Sequence, residues 1–317
     1  MEILPVSVLI PTMNRPKALE RTMRSYLQAN AIPSQFVIVD QTQPPELRAE
    51  MEQLMEDLRV FTEITYVYRE QPSSAIARNV ATEHAKEELI LFSDDDIDVY
   101  PDSLQKICRI MEDKNIALLS GWDDLAGKSG SNIGYFFGTK SFVNRKIGHV
   151  TASMLGRYPD ELNGLVDTQW AMGGFLTVRR SLVKKWDIRW DENMTGYALS
   201  EDLDYSYRYV AEAKKAGMKC YISGDLPFSH LASMEYRITS KKIAYVNIIN
   251  RTYLGFKHHD KPFYWIAMGW TNIWRILEHF VKRRNGADML RATFLAYKYR
   301  DKIRAGKLAE VYGEILK

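Results

Sequence analysis

Cysteine is scarce in this chain: its 317 residues include only Cys108 and Cys220. Two thiols so far apart give neither a disulfide framework nor a Cys-rich zinc site, and they fit a reducing compartment. Long hydrophobic runs are missing too. No stretch approaches the roughly 18 uninterrupted apolar residues of a membrane span. The opening MEILPVSVLI is too short and too poor in basic residues for a secretory signal. Glycine is absent from the first loop, PTMNRPKALE, which argues against the glycine-rich, lysine-bearing phosphate loop of a nucleotidyltransferase. Net charge is small, at +3, but unevenly spread. From Arg237 to Lys317 there are 17 Lys plus Arg against 6 Asp plus Glu, which leaves residues 1–235 acidic. An acidic body and a basic tail argue for two parts with different partners.

What is present is ordinary in bulk, with 46% hydrophobic and 26% charged residues, enough for a substantial core. The informative stretch is LILFSDDDID at 89–98. A short apolar run, Leu89-Ile90-Leu91-Phe92, reads as a buried strand. It ends in Ser93 and three adjacent carboxylates, Asp94, Asp95 and Asp96. Open α/β sheets bind ligands at such C-terminal strand ends, and a hard divalent cation offsets clustered carboxylates while sharing its remaining positions with phosphate oxygens. The alternative is a solvated acidic turn ahead of a helix near Pro101.

Before that stretch, strands and helices alternate. Val6–Ile10 forms a first strand, and Pro16 opens a helix with Leu19, Met23, Tyr26 and Leu27 on its apolar face. Phe36–Val39 is a second strand ending at Asp40, and a charged helix covers roughly 46–58. Ile64–Tyr68 is a third strand, and Ser73-Ser74 caps a helix to about Ala85. This alternation predicts an α/β fold with a parallel sheet covered on both faces. Gly121–Gly148 reads as loops with short strands. Gly173-Gly174 precedes the strand Phe175–Val178, and the pair fits either close backbone approach to a ligand or a tight turn. Ser200 is placed to cap a helix beginning Glu201-Asp202. Carboxylates in a first turn are favoured by the helix dipole, which is a sufficient structural reason for both. Met218–Ile222 and Leu226–Phe228 read as two closing strands leading to His230. Beyond Ser233 the pattern is helical. In a helix opened by Pro262, Ile266, Trp270, Ile273, Leu277 and Phe280 recur at helical spacing, with Lys282-Arg283-Arg284 after them. Such a basic, Trp-rich helix suits a membrane interface or docking on its own domain or on a second copy.

Five segments in this order, VSVLIPTMNRP, FVIVDQ, SAIARNVAT, LILFSDDDID and GGFLTVRRSL with SEDLDYSYR, resemble the family 2 glycosyltransferases of the GT-A fold. The resemblance covers roughly 5–235. It implies a GT-A type nucleotide-diphospho-sugar transferase fold, a mostly parallel sheet flanked by helices, with a C-terminal helical extension. The expected division is a catalytic domain at 1–235 (a nucleotide-binding half, 1–100, and an acceptor half, 101–235) and a basic helical region at 236–317. By resemblance, Thr12, Asn14, Arg15 and Asp40 bind the nucleotide base, with Asp40 able to accept from a pyrimidine imide N–H. Arg78 lines the nucleotide pocket, and Asp94 contacts ribose or metal. Asp96 ligates a cation, with Asp95 behind it, and His230 adds a metal or diphosphate contact. Asp202 is the general base, with Glu201 as neighbour or substitute and Asp191 as a remoter candidate.

The implied reaction is inverting, metal-dependent transfer from a nucleotide-sugar, UDP-linked by family frequency, with Mn²⁺ or Mg²⁺. The acceptor is a hydroxyl of a glycan or polyprenyl-linked molecule, as in bacterial-type surface polysaccharide synthesis. The expected location is the inner face of the cell membrane, held there by the tail, with a homo-oligomer possible and nucleic acid disfavoured. The competing reading is a catalytically silent carbohydrate- or membrane-binding module on the same fold. Met13, the Gln-Thr-Gln-Pro after Asp40, and Val80-Ala81 depart from the family pattern and leave the donor base open.

Overall fold

An N-terminal strand whose second half is buried on both sides sets the architecture: Val6, Val8, Leu9 and Ile10 of β1 (Glu2–Thr12) are all fully buried. In the computed structural model, which describes residues 2–126, 134, 136–139, 145–159, 161–195, 199–233, 235, 239–259 and 262–316, β1 lies inside a nine-stranded sheet. Its neighbours are β2 (Ala31–Asp40) and β4 (Leu89–Ser93), both parallel to it, and β3 (Glu63–Tyr68) extends the parallel part beyond β2. Past β4 the sheet becomes mixed. β8 (Phe175–Arg179) runs antiparallel to β4 and to β6 (Ile116–Asp123), and β9 (Lys219–His230) pairs parallel with β6. The short strands β5 (Ile97–Val99) and β7 (Leu165–Asp167) both pair antiparallel with β9.

The period-two alternation of strand side chains divides the core into layers. Val6, Val8 and Ile10 pack against helices α1 (Pro16–Leu27), α2 (Pro45–Leu58) and α4 (Ser103–Ile110) through Leu19, Met23, Met51, Met55 and Ile107. Leu9, Ile90 and Phe92 face the other way, onto Ala77 and Ala81 of α3 (Ser74–His84) and onto Tyr205 and Tyr209 of the helix Glu201–Lys215. The first hundred residues thus form the expected parallel sheet covered on both faces. A third apolar cluster unites body and tail: Met154, Tyr158, Trp170 and Leu203 pack with Tyr245, Ile248, Ile249, Met268 and Met289.

Several local expectations come out differently. The two closing strands are one continuous strand, because a register shift between Ser120 and Trp122 of β6 lets pairing resume beyond Ser223–Asp225. Ser200 stands at the helix N-terminus but in the left-handed region (φ 72°), and its side chain caps nothing. Ser73 does cap, accepting from Ile76 N–H. Of Gly121–Gly148, residues 127–133, 135 and 140–144 lie outside the described residues.

The helix Pro262–Val281 is apolar on both sides. Its buried face carries Tyr264, Met268 and Ile276, whereas the stripe the sequence singled out, Ile266, Trp270, Ile273, Leu277 and Phe280, is exposed. Among the described residues, no helix is long and apolar enough to cross a membrane.

Candidate active site

The chain runs from β1 to β2 and β3 on one side, then returns to β4 on the other side of β1. Strand order therefore reverses between β1 and β4, and a crevice opens beyond their C-terminal ends, where such sheets bind ligands. A cavity of about 600 Å³ lies there. The loops after β1, β2 and β4 reach it, as do Gly173-Gly174 before β8, the start of helix 201–215, and the end of β9.

The loops are stitched together before any ligand arrives. Asn14 adopts a left-handed backbone (φ 58°), from which its N–H donates to Thr42 Oγ1 (2.9 Å) and its Oδ1 accepts from Gln43 N–H (2.9 Å). Thr12 Oγ1 donates to Asp95 Oδ2 (2.8 Å), and Arg15 donates to Asp95 Oδ1 (3.0 Å) and lies 3.5 Å from Asp96. Asp95 thus faces the β1 loop. Burial outweighs Arg15 and raises its pKa to about 6. Asp40 is fully buried, with Oδ1 accepting from Thr42 N–H (2.8 Å) and Oδ2 from Tyr66 O–H (2.6 Å). Its carboxylate lies beneath the cavity wall. Gln41 and Gln43, which sequence reasoning passed over, line the wall instead.

Asp94, Asp96 and His230 converge, with one ligand atom from each within 4.8 Å of the others. His230 Nε2 lies 3.1 Å from Asp96 Oδ1, and Ser233 N–H donates to Asp96 Oδ2 (2.9 Å). Burial works against charge on Asp96, but His230, Arg15 and the Ser233 N–H together pull its pKa below the usual carboxylate range. The bond to Asp96 in turn raises His230 to about 9, against the opposing effect of burial. Two carboxylates and an imidazole are a suitable donor set for Mn²⁺ and, through the oxygens, for Mg²⁺. The pairing at His230 means that a metal bound there would have to displace a proton.

The second acidic pair opens helix 201–215. Asp202 accepts from Leu203 N–H (2.7 Å) and Gly173 N–H (3.3 Å). Burial raises both carboxyls; Glu201 reaches about 7 against the opposing pull of Arg78, and the bonds from Gly173 and Leu203 partly offset the rise at Asp202. Arg78 joins the two acidic groups. From α3 its guanidinium reaches Glu201 (2.9 Å) and Asp94 (2.7 Å) and lies over the Trp190 ring (4.6 Å). Trp190 is itself stacked on Tyr205 at 4.3 Å. The glycine pair allows this crowding. A Cβ on Gly174 would stand 2.6 Å from Asp94 Oδ2, and one on Gly173 would stand 3.1 Å from Asp202 Cβ.

Asp191 is turned away from the site. It pairs with Lys257 (2.5 Å) and accepts from Tyr253 O–H (2.7 Å) of the tail. The tail nevertheless enters the cavity: Lys242, Val246, Tyr312 and Leu316 line it, opposite Met172, Thr195 and Leu199. Lys242 and Val246 stand one turn apart on the helix Ser240–His258, as do Tyr312 and Leu316 near the C-terminus. That spacing was present in the sequence, but only packing shows where these turns face.

Residues 7–185, more than half of the chain, match the sequence model of Glycosyl transferase family 2. No curated protein sequence matches. Among solved structures, S. aureus TarS 1-349 superposes with a TM-score of 0.54 at 17% identity, covering 97% of this chain and 89% of that one. Against the longer TarS structure the chain spans 44% of the length, with 87% of its own residues covered, a TM-score of 0.52 and 17% identity. GalNAc-T7 with UDP, GalNAc and Mn²⁺ gives 0.57 at 17% identity, covering 81% of this chain and 52% of that one. The Pyrobaculum calidifontis mannosyltransferase PcManGT with GDP-Man and Mn²⁺ gives 0.54 at 14%, covering 99% and 88%. At these identities the likeness is one of fold.

Proposed function

Because the chain belongs to glycosyl transferase family 2, we propose that this glycosyltransferase is metal-dependent and inverting, and that it moves a sugar from a nucleotide diphosphate, UDP favoured, to an acceptor hydroxyl. The observation that carries the reading is one cavity holding both acidic groups, Asp94–Asp96–His230 and Glu201–Asp202, tied together by Arg78. Donor complexes of the matched structures with UDP or GDP-Man, two of them with Mn²⁺, support the donor class. The division into a catalytic body, 1–235, and a basic helical tail, 236–317, belongs to the same proposal.

In this reading Thr12, Asn14, Arg15, Gln41 and Gln43 form the nucleotide end, with Asp40 fixing Thr42 from beneath. Asp94, Asp96 and His230 hold the cation, and Asp95 locks the β1 loop to them. A divalent cation bound there would neutralise charge developing on the departing diphosphate. Arg78 holds Asp94 and Glu201 and adds positive charge beside the diphosphate. Asp202 takes the proton of the attacking hydroxyl, and its raised pKa makes it a stronger base than an ordinary aspartate. Attack from the face opposite the leaving group inverts the anomeric centre.

We place the acceptor, a glycan or polyprenyl-linked hydroxyl in surface polysaccharide assembly, at the inner membrane face. Every exposed residue from 263 to 298 is apolar or basic, which suits an anionic lipid surface.

Incubation with a panel of nucleotide-sugars and Mn²⁺, with the product anomer read by NMR, tests this. One donor should turn over with inversion, and Asp202→Asn should lower turnover by about 10²-fold or more. Metal-independent turnover or a retained anomer contradicts the proposal. No turnover with any donor and acceptor leaves the silent-module reading.

A further inference from the structure

Four cationic side chains reach the cavity, and three are committed. Arg15 pairs with Asp95, Arg78 with Asp94 and Glu201, and His230 with Asp96. The fourth, Lys242, is exposed at the cavity rim and has no ion-pair partner among the described residues. Val246, one turn along the same helix, and Leu199, Leu316 and Met172 are apolar members of the same lining. The Tyr312 hydroxyl donates to Asn250 Oδ1, and Asn250 Nδ2 donates to Leu199 O (2.9 Å), so this wall is braced from within the tail. The wall also abuts the exposed face. Asn285, at the end of the Lys282-Arg283-Arg284 turn, donates to Ser240 O (2.8 Å), two residues before Lys242. On either side of that turn lie the exposed apolar stripes, Phe263, Ile266, Trp270 and Ile273 on one helix and Leu290 and Phe294 on the next.

We propose that the tail-lined end of the cavity is an acceptor subsite for an anionic amphiphile, with a phosphate ester at Lys242 and its hydrocarbon chain along Val246, Leu199 and Leu316. An uncommitted ammonium attracts a phosphate as a point charge. Aliphatic walls favour a chain over a free sugar, whose hydroxyls they cannot satisfy. The arrangement gives the tail a role in choosing the acceptor, because the same helix holds the lysine and meets the basic turn. The word acceptor rests on the sugar-transfer reading above, whereas the binding site itself does not.

The test is calorimetric titration of the full chain with octyl phosphate below its micelle concentration, with glycerol 3-phosphate and octyl glucoside as partial probes, and with UDP plus Mn²⁺ to read the donor end. Wild type, Lys242→Met and Lys241→Met are compared, both lysines being exposed but only Lys242 lining the cavity. The expected result is that octyl phosphate binds tightest of the three probes. Its affinity should fall about tenfold or more in Lys242→Met, the scale of a lost charge-assisted contact, and hold in Lys241→Met.

Equal binding of octyl phosphate to wild type and Lys242→Met overturns the proposal. Glycerol 3-phosphate binding as tightly as octyl phosphate removes the hydrocarbon wall and overturns it as well. Loss of UDP–Mn²⁺ affinity in Lys242→Met, with octyl phosphate unaffected, assigns the lysine to the donor diphosphate instead. If UDP fails to bind wild type while octyl phosphate binds through Lys242, the sugar-transfer reading falls and the amphiphile site stands.

Discussion

The sheet body and the helical tail treat the same kinds of side chain in opposite ways. In the body, the central strands bury apolar residues on both faces, and clustered carboxylates gather at one edge, where Arg15, Arg78 and His230 meet them. In the tail, the helix Pro262–Val281 leaves Phe263, Ile266 and Ile273 more than half exposed, and the uncovered charges around them are basic. A parallel sheet leaves no face unused, whereas a helix docked along one side must show its other side to something. The two regions meet at a buried ionic clamp. Asp204, with no exposed surface, receives Lys257 (2.9 Å) and His258 (2.8 Å) from the tail and Arg208 (2.7 Å) from its own helix. Asp204 stands two residues from Asp202, so the tail fixes the helix that carries the proposed base.

The sharpest way to separate the regions is to remove the proposed base. Asp202→Asn is expected to lower kcat by about 10²- to 10⁴-fold, the usual range for a general base. UDP–Mn²⁺ affinity and vesicle binding should both stay at the wild-type level, so a comparable loss in either would break the division of labour. Next in size is the clamp. Asp204→Asn takes the buried anion from Lys257, Arg208 and the His258 ring and should cost roughly 3–5 kcal/mol in denaturant unfolding. A loss under about 1 kcal/mol would mean that the apolar cluster alone joins tail to body. Third, replacing Lys282, Arg283 and Arg284 by Gln should weaken binding to anionic vesicles by about two orders of magnitude, at roughly 1 kcal/mol per basic residue. Sedimentation with liposomes reads this, and turnover of a short soluble acceptor should hold.

The smallest effect is a displacement in pH. Burial raises Glu201 to about 7 and Asp202 in the same direction, so the proposed base ionises late. The rate should rise with pH through the titration of Asp202, above the ordinary carboxylate range. Removing one of the two carboxylates relieves their mutual repulsion, so Glu201→Gln should move the rising limb to lower pH. Stability runs the other way for these groups. The folded chain keeps their protons to a higher pH than the unfolded chain does, so their contribution is complete below the ordinary carboxylate range and is lost as pH rises through their raised pKa values, about 7 at Glu201. Asp204 has the opposite sign. Against the cost of burial, His258, Arg208 and Lys257 hold its pKa far down, so its contribution is present above the ordinary carboxylate range and disappears only on strong acidification.

The parallel half of the fold was legible because its signals are local. Leu89–Phe92 followed by Asp94–Asp96 marks both a strand and its functional end, and Pro16 and Ser73 mark helix starts that the structure keeps. What stayed hidden depends on contacts distant in sequence. Nothing near Asp40 tells that Tyr66, from the neighbouring strand, covers its carboxylate. Nothing in TSKKIAYV tells that Lys242, rather than Lys241, lines the cavity. The helix beginning at Pro262 misled in a different way. With apolar residues all round, periodicity could not say which side would be covered, and the stripe it marked is the uncovered one. At Ser200 the residue type fitted a cap, but a left-handed backbone turns the side chain away from that role.

The most direct test of the central claim, one metal-assisted nucleotide site built on Asp94, Asp96 and His230, is calorimetric titration of UDP, dTDP, GDP and CDP with and without Mn²⁺ or Mg²⁺ on wild type and Asp96→Ala. The account predicts metal-dependent binding of one nucleotide, UDP first, lost in Asp96→Ala. Binding that ignores the metal and survives Asp96→Ala would contradict it, and so would a failure of all four nucleotides to bind wild type with either metal.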